Sequence, residues 1–308
     1  MMKNLNRYFR FFALIGIAGL IYWTLSIFLE WKIHALFKAT DDVFFVETAG
    51  NFLNLRQACS IESAAIHHSQ SSIKVMILKD ADDAYGLTKI YPNIKVNRID
   101  LNDTFEGTPL KTWFRSNPWA TSKFKTYDIS DALRTVLIWK FGGIYLDLDV
   151  VVLKPLYNIN NFAIIQDKST VNNAIFRFDQ GHNFLYKCLQ NVEKSYRKNV
   201  WGSIGLKLFT ETVKDYCNIR SFRNLSALNC DINVLSENAG YAIPYTKWKQ
   251  YFRPPTSENK YILNESYAIH VWNYLSKNET IRIGTGSVYE TAMKVNCPFI
   301  YEKLKNEN

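Results

Sequence analysis

Across 308 residues, 37 lysines and arginines outweigh 28 aspartates and glutamates, for a formal charge of +9. The excess is spread along the chain with no dense basic run, which argues against a nucleic-acid binder. No internal repeat or low-complexity tract occurs, and prolines and glycines are scattered.

Met1 to Arg10 carries Lys3, Arg7 and Arg10 and no acid, and Phe11 to Leu29 follows with no charge and only Thr24 and Ser26 polar. As a helix rising 1.5 Å per residue this run spans about 28 Å, close to the hydrocarbon thickness of a bilayer. It is too long for the apolar core of a cleaved leader, and no small-x-small site follows before Glu30 and Trp31. The positive flank predicts a cytosolic tail (1–10), a signal anchor (11–29), a short stem (30–41) and a lumenal domain (42–308). That domain has room for one large α/β core. Four glycosylation triplets, at Asn102, Asn224, Asn264 and Asn278, suit a lumenal orientation. The five cysteines lack zinc-type spacing, and an oxidising lumen predicts two disulfides and one free thiol, with the pairing open.

The domain opens on a short apolar strand, Asp42 to Thr48, followed by an amphipathic helix from Leu55 to His68. Strands are expected over 72–78 and 94–99. The segment 109–129 is not strongly periodic; its Trp113, Trp119 and Tyr127 either pack the loop down or stack on a base or sugar. Ser130 to Lys140 reads as a helix with Ser130 as N-cap and Gly142-Gly143 as its end. Asp131 and Arg134 share one face of it at i,i+3.

Phe141-Gly-Gly-Ile-Tyr-Leu-Asp-Leu-Asp-Val-Val-Val152 alternates with period two and reads as one buried strand. Tyr145, Asp147 and Asp149 then point one way, with the two carboxylates about 7 Å apart by the strand repeat. Two like charges on an apolar strand are costly unless a cation sits between or beside them. The bland alternative is a half-exposed strand whose aspartates meet water.

Downstream, strands are expected over 162–167 and 171–179, and an amphipathic helix over 183–196. The order strand, helix, strand, strand, helix, strand predicts a mixed sheet with helices on both faces. Ligands of such sheets bind beyond the carboxyl ends of the strands, where Glu47, Thr48 and the Asp147–Asp149 segment would lie. Tyr267-Ala-Ile-His-Val-Trp-Asn273 places a histidine in an apolar strand, more often a satisfied core residue than a ligand.

Ser-Asp-x-x-Arg, a Gly-Gly-x-Tyr turn and then Asp-x-Asp resemble the glycosyltransferases with an Asp-x-Asp sugar-binding motif. The match is to the alpha-1,4-galactosyltransferase and alpha-1,4-N-acetylglucosaminyltransferase family, with agreement over about twenty positions. The opening Phe-Phe-x-Glu-Thr strand, an Asn-x-Ala segment at Asn172 and Asn173, and the late His-x-Trp-Asn are similar to family segments. Where relatives read Gly-Pro, this chain has Gly205-Leu206. The resemblance implies a nucleotide-diphospho-sugar fold of the GT-A type and a Golgi type II membrane enzyme. It also implies Mn²⁺ (or Mg²⁺) held by Asp147, Asp149 and His270, and Asp131 and Arg134 at the donor sugar and diphosphate. Glu47, Thr48, Tyr145, Asn172 and Asn173 are the remaining donor-side candidates. Retaining transfer of a hexose or N-acetylhexosamine from a UDP-sugar to a glycolipid or glycan follows, with galactose or N-acetylgalactosamine foremost. Two competing classes are a metal-dependent phosphohydrolase, which would need more clustered ligands, and a catalytically silent lumenal glycan-binding protein.

Overall fold

The structure is a computed structural model, and it describes residues 41–50, 53–79, 84–223 and 230–307. The tail and anchor expected over 1–29, and the stem up to residue 40, lie outside the described residues. Among the described residues no helix is long and apolar enough to cross a membrane.

A seven-stranded mixed sheet forms the centre. Its strands are β1 (Val43–Glu47), β2 (Ile73–Ile77), β3 (Ile94–Arg98), β4 (Gly143–Leu146), β6 (Phe162–Asp167), β7 (Thr170–Phe178) and β8 (Asn233–Leu235). Their order is β3-β2-β1-β4-β7-β6-β8. β1 runs parallel to both β2 and β4, and β7 is antiparallel to β4 and β6. A parallel strand between two neighbours is covered on both faces, which is why β1 is a continuous buried run rather than an alternating one. Parallel β1 and β4 end at the same edge, so Glu47 and the residues after Leu146 emerge together.

Helices cover both faces. On one side lie α1 (Leu55–His67) and the C-terminal pair Val288–Asn296 and Pro298–Glu307; on the other lie α2 (Lys125–Phe141), α3 (Asn183–Ser195) and α4 (Leu206–Tyr216). Asn54 caps α1 by accepting from the Arg56 and Gln57 amides, while Gln57 returns the bond to the Asn54 amide. The first face is tied together by a Cys59–Cys297 disulfide and by the buried Glu62 carboxylate. Glu62 accepts from Tyr91 Oη at 2.6 Å and from the Phe299 and Ile300 amides at 2.9 Å, filling the orphan donors that open the last helix. Cys217–Cys230 is the second disulfide and Cys188 is buried and free, as the cysteine count predicts.

Three expectations need correction. The run 141–152 is not one strand: β4 stops at Leu146, and Val150–Val152 forms β5, which pairs antiparallel with β9 (Ala268–His270) in a separate two-stranded sheet. A turn joins them, closed by the Val150 amide on the Asp147 carbonyl at 3.0 Å. A sheet interior has no place for two carboxylates, so the chain leaves the sheet where they begin. Second, α2 starts at Lys125, so Ser130 is inside the helix rather than its cap. Third, 109–129 is not a plain loop. A helix spans Lys111–Ser116, Trp113 is buried against Tyr196, and Phe105, Phe114 and Trp119 stack in succession. Two of its three aromatics are therefore packing residues; Tyr127, in the first turn of α2, is not.

Gly142 and Gly143 allow the helix-to-strand reversal with φ of +68° and +108°. At Gly143 a side chain would collide with the Asp42 carbonyl, the acceptor of the Ile144 amide that begins the β1–β4 pairing.

Candidate active site

The turn at the end of β4 is pinned from two sides. The Asp147 amide donates to Ala174 O at 2.9 Å, fixing it to β7. From α1, Ser60 Oγ donates to Leu148 O at 3.0 Å, and Ser63 Oγ accepts from the Val152 amide at 3.0 Å. Both backbone groups are thereby satisfied where the strand is interrupted.

Register then delivers a third group from 120 residues downstream. Val150 is opposite His270 in the β5–β9 ladder, and the Val271 amide donates to Asp149 O at 3.0 Å. His270 Nε2 consequently sits 3.2 Å from Asp149 Oδ1, while the Asn273 amide donates to Asp149 Oδ2 at 2.7 Å. Asp147, Asp149 and His270 each offer a ligand atom, and these atoms lie within 4.8 Å of one another.

Arg134, buried on α2, organises the other side. Its Nη1 meets Asp147 Oδ1 at 2.9 Å and Asn173 O at 3.0 Å, and Nη2 donates to Ser130 Oγ at 2.9 Å. Its guanidinium lies over the Tyr145 ring at 4.6 Å, and Tyr145 Oη donates to Asp147 Oδ1 at 2.7 Å. Both contacts fall on Oδ1. Burial alone would lower the arginine's pKa; the Asp147 carboxylate foremost, then Tyr145 and Asp131, raise it instead.

Burial also pushes Asp147 up, with Asp149 adding to the shift and Arg134 opposing it. Asp149 goes the other way: burial opposes its ionisation, but His270 and the Asn273 amide outweigh burial and hold it down. His270 is raised, its burial overcome chiefly by Asp149. Asp131 is pushed up to about 6, first by burial, with Arg134 and Asn173 pulling back. Asn173 Nδ2 donates to Asp131 Oδ1 at 2.9 Å, whereas Asn172 turns to Gln166 at 2.7 Å and caps the Ala174 amide. Of that pair Asn173 therefore faces the cluster. A side chain at Gly205 would collide with the Asp131 carboxylate, so glycine there lets the 199–205 loop lie against it.

Glu47 and Thr48 sit at the same sheet edge but are spoken for. Glu47 accepts from the Ala49 and Gly50 amides and from Gln57 Nε2, and Thr48 Oγ1 donates to Thr126 O at 3.1 Å. They shape the edge and leave the charged centre to Asp131, Arg134, Asp147, Asp149 and His270.

The donor set fits a divalent cation. His270 Nδ1 is a buried nitrogen with no partner among the described residues, and the Asp147 and Asp149 side chains keep 25% and 13% of their surface open to solvent. Two carboxylates and one imidazole suit a divalent cation.

Comparison with known proteins decides the family. A family model described as a glycosyltransferase sugar-binding region containing a DXD motif matches residues 55–170, and one described as an alpha 1,4-glycosyltransferase conserved region matches 177–304. The Mus musculus protein named lactosylceramide 4-alpha-galactosyltransferase is 33% identical over 281 residues, 87% of this chain and 77% of that one. The chain belongs to the alpha-1,4-glycosyltransferase family.

It is accordingly a glycosyltransferase. The Homo sapiens protein named alpha-1,4-N-acetylglucosaminyltransferase is 30% identical over 260 residues, 80% of this chain and 75% of that one. A solved structure of LgtC aligns over 86% of this chain and 95% of its own at 12% identity and a TM-score of 0.42, too distant to carry detail. The two family regions together hold Asp131, Arg134, Asp147 and Asp149 in the first and Gly205 and His270 in the second. The turn that joins β4 to β5 therefore meets a histidine from the other region. Sequence reasoning passed over Ser60 and Ser63, which position that turn, and gave no role to the Asn273 amide, which holds Asp149 Oδ2. Ser60 and Ser63 look like ordinary polar residues inside a helix, and only their spacing on one face of α1 could have drawn attention to them.

Proposed function

We propose that this glycosyltransferase is a divalent-cation-dependent, retaining enzyme of the GT-A type. It would move a hexose or N-acetylhexosamine, galactose or N-acetylgalactosamine foremost, from a UDP-sugar in alpha-1,4 linkage to a glycolipid. The observation that carries this is the convergence of Asp147, Asp149 and His270 within 4.8 Å at the carboxyl edge of the sheet, in a chain similar to enzymes named for lactosylceramide. The phosphohydrolase alternative lacks the extra ligands it needs: among the described residues this is the one group of its kind. The reading places the 11–29 segment in the Golgi membrane and residues 42–308 in the lumen. That placement is supported by the exposed sequon residues Asn102, Asn264 and Asn278 and by the two disulfides.

Asp147, Asp149 and His270 would hold Mn²⁺ or Mg²⁺. When bound, the cation supplies charge neutralisation to the departing diphosphate. The remaining work falls to the chain. Arg134 keeps Asp147 ionised and aimed by engaging its inner oxygen, and Tyr145 holds the same atom. Asp131 accepts from a donor-sugar hydroxyl, positioned by Asn173 and by the close approach of Gly205. No side chain among these stands as a covalent nucleophile. The acceptor oxygen therefore bonds to the anomeric carbon on the face from which the phosphate oxygen leaves. The acceptor's proton passes to that phosphate oxygen, and UDP departs with the bonding pair.

The test is a transfer assay with the full-length protein in detergent, Mn²⁺, and UDP-galactose, UDP-N-acetylgalactosamine or UDP-N-acetylglucosamine against a lactoside and lactosylceramide. Transfer with an alpha-1,4 linkage by NMR is expected from one donor. No transfer and no cation-dependent hydrolysis with any of the three overturns the proposal.

A further inference from the structure

Three large aromatic side chains stand open beside the acidic cluster. Tyr127, Trp201 and Tyr274 are 41%, 43% and 53% exposed, and they come from the first turn of α2, the 199–205 loop and the short helix Asn273–Ser276. Their rings touch in series: Tyr127 and Tyr274 at 5.8 Å between centroids, nearly perpendicular, and Trp201 and Tyr274 at 6.2 Å. Leaving this much aromatic surface in water forgoes burial free energy on three neighbouring residues at once, and contiguous exposed apolar surface of this sort marks a binding site.

Its place is fixed by hydrogen bonds. Tyr274 follows Asn273, whose amide holds Asp149 Oδ2. Arg56 donates to Ser276 O and Oγ at 2.8 and 3.1 Å, and also to Glu279 O, anchoring the short helix that carries Tyr274. The Trp201 loop is tied to the approach to α2 by the Lys123 amide on Asn199 Oδ1 at 2.9 Å, and it ends at Gly205 against Asp131. Tyr127 follows Thr126, whose carbonyl accepts from Thr48. Its hydroxyl is raised by burial, then by Tyr274 and the nearby Asp149 charge. The rings thus border the centre where the diphosphate would lie, and among the described residues none carries a lysine or arginine over its face.

We propose that Trp201, Tyr274 and Tyr127 form the stacking platform for the apolar C–H face of the acceptor pyranose. This rests on the glycosyl-transfer reading above. An anionic diphosphate calls for cations, whereas these three rings offer uncharged faces; a neutral sugar ring presents a patch of C–H groups that packs on aromatic faces. The site therefore divides by chemistry, with the charged cluster facing the donor and the aromatic rim facing the acceptor.

Trp201→Ala, Tyr274→Ala and Tyr274→Phe in the full-length protein test this, with lactose as acceptor probe. Each alanine variant is expected to raise the acceptor KM about tenfold, the scale of one lost stacking contact. Tyr274→Phe keeps the KM, and the affinity for UDP with Mn²⁺ stays within about twofold in all three. An unchanged KM in both alanine variants overturns the proposal. So does a matching loss of UDP affinity, which would assign the rings to the nucleotide base. Saturation-transfer NMR of lactose reads the platform without turnover. Lactose contact that disappears in Trp201→Ala supports it even if no transfer occurs, in which case the transferase reading alone has failed. No lactose contact with the unaltered protein overturns the platform.

Discussion

Replacing Asp131 by asparagine is expected to stabilise the protein at neutral pH while impairing it as an enzyme. Asp131 is 8% exposed, and its carboxyl is raised from 3.8 to about 6, burial outweighing the attraction of Arg134 and the Asn173 hydrogen bond. The sign follows from linkage. Below pH 3.8 both folded and unfolded chains hold the proton, so the group costs nothing. Between 3.8 and about 6 the unfolded chain ionises first and stability falls as pH rises, and above 6 the cost is constant. At 1.36 kcal/mol per unit that cost is about 3 kcal/mol. Asparagine keeps the shape and is neutral at every pH, so Asp131→Asn recovers this amount at pH 7.5. For a large domain that corresponds to a rise in melting temperature of about 6–12 °C. Calorimetry or thermal fluorescence across pH 4–8, with chelator present so that no cation perturbs the cluster, gives the comparison. The gain should shrink toward zero as pH approaches 4. A variant that melts at or below the unaltered protein at pH 7.5, or a gain independent of pH, refutes the reasoning.

His68 titrates in the opposite sense: burial, then His67, lower its pKa from 6.5 to about 4. Stability is therefore lost as pH falls from 6.5 to 4, by up to about 3 kcal/mol. His68→Leu should flatten that limb in urea titrations; an unchanged slope would count against it. Cysteine pairs separate by loop length: Cys59–Cys297 spans 238 residues and Cys217–Cys230 spans 13. Replacing both cysteines of the first pair with alanine should cost about 5 kcal/mol and of the second about 3, and the reverse ranking in denaturant melts would contradict the chain-entropy estimate. Glu62→Ala strands the Phe299 and Ile300 amides and should cost about 2–4 kcal/mol. Hydrogen exchange should show the last helix opening first, and uniform loosening would speak against a local clamp.

The elements that local pattern could specify were legible in the sequence. The apolar β1 run, the strand ending at Asp167 and the amphipathic helix from Asn183 carry their signal within a few residues, and each lies within two residues of its expected bounds. The break between β4 and β5 does not. Gly143 to Val152 alternates as a strand would, and what ends the strand is remote: two serines on α1 and a ladder partner some 120 residues later. The side of β7 that faces the cluster was hidden for a related reason, because β6 meets β7 with register shifts that no local period encodes. His270 looked like a core histidine by its neighbours, and only the resemblance singled it out. Its 3.2 Å approach to Asp149 comes from long-range pairing.

Titrating Mn²⁺ into the full-length protein with saturating UDP, read by calorimetry or the loss of the free Mn²⁺ electron paramagnetic signal, bears most directly on the proposed three-ligand centre. One ion per chain is expected to bind, with affinity falling about 100-fold in Asp149→Asn and about 10–100-fold in His270→Ala. Equal Mn²⁺ binding in both variants and the unaltered protein, or none in any of them, would contradict a cation held by Asp147, Asp149 and His270.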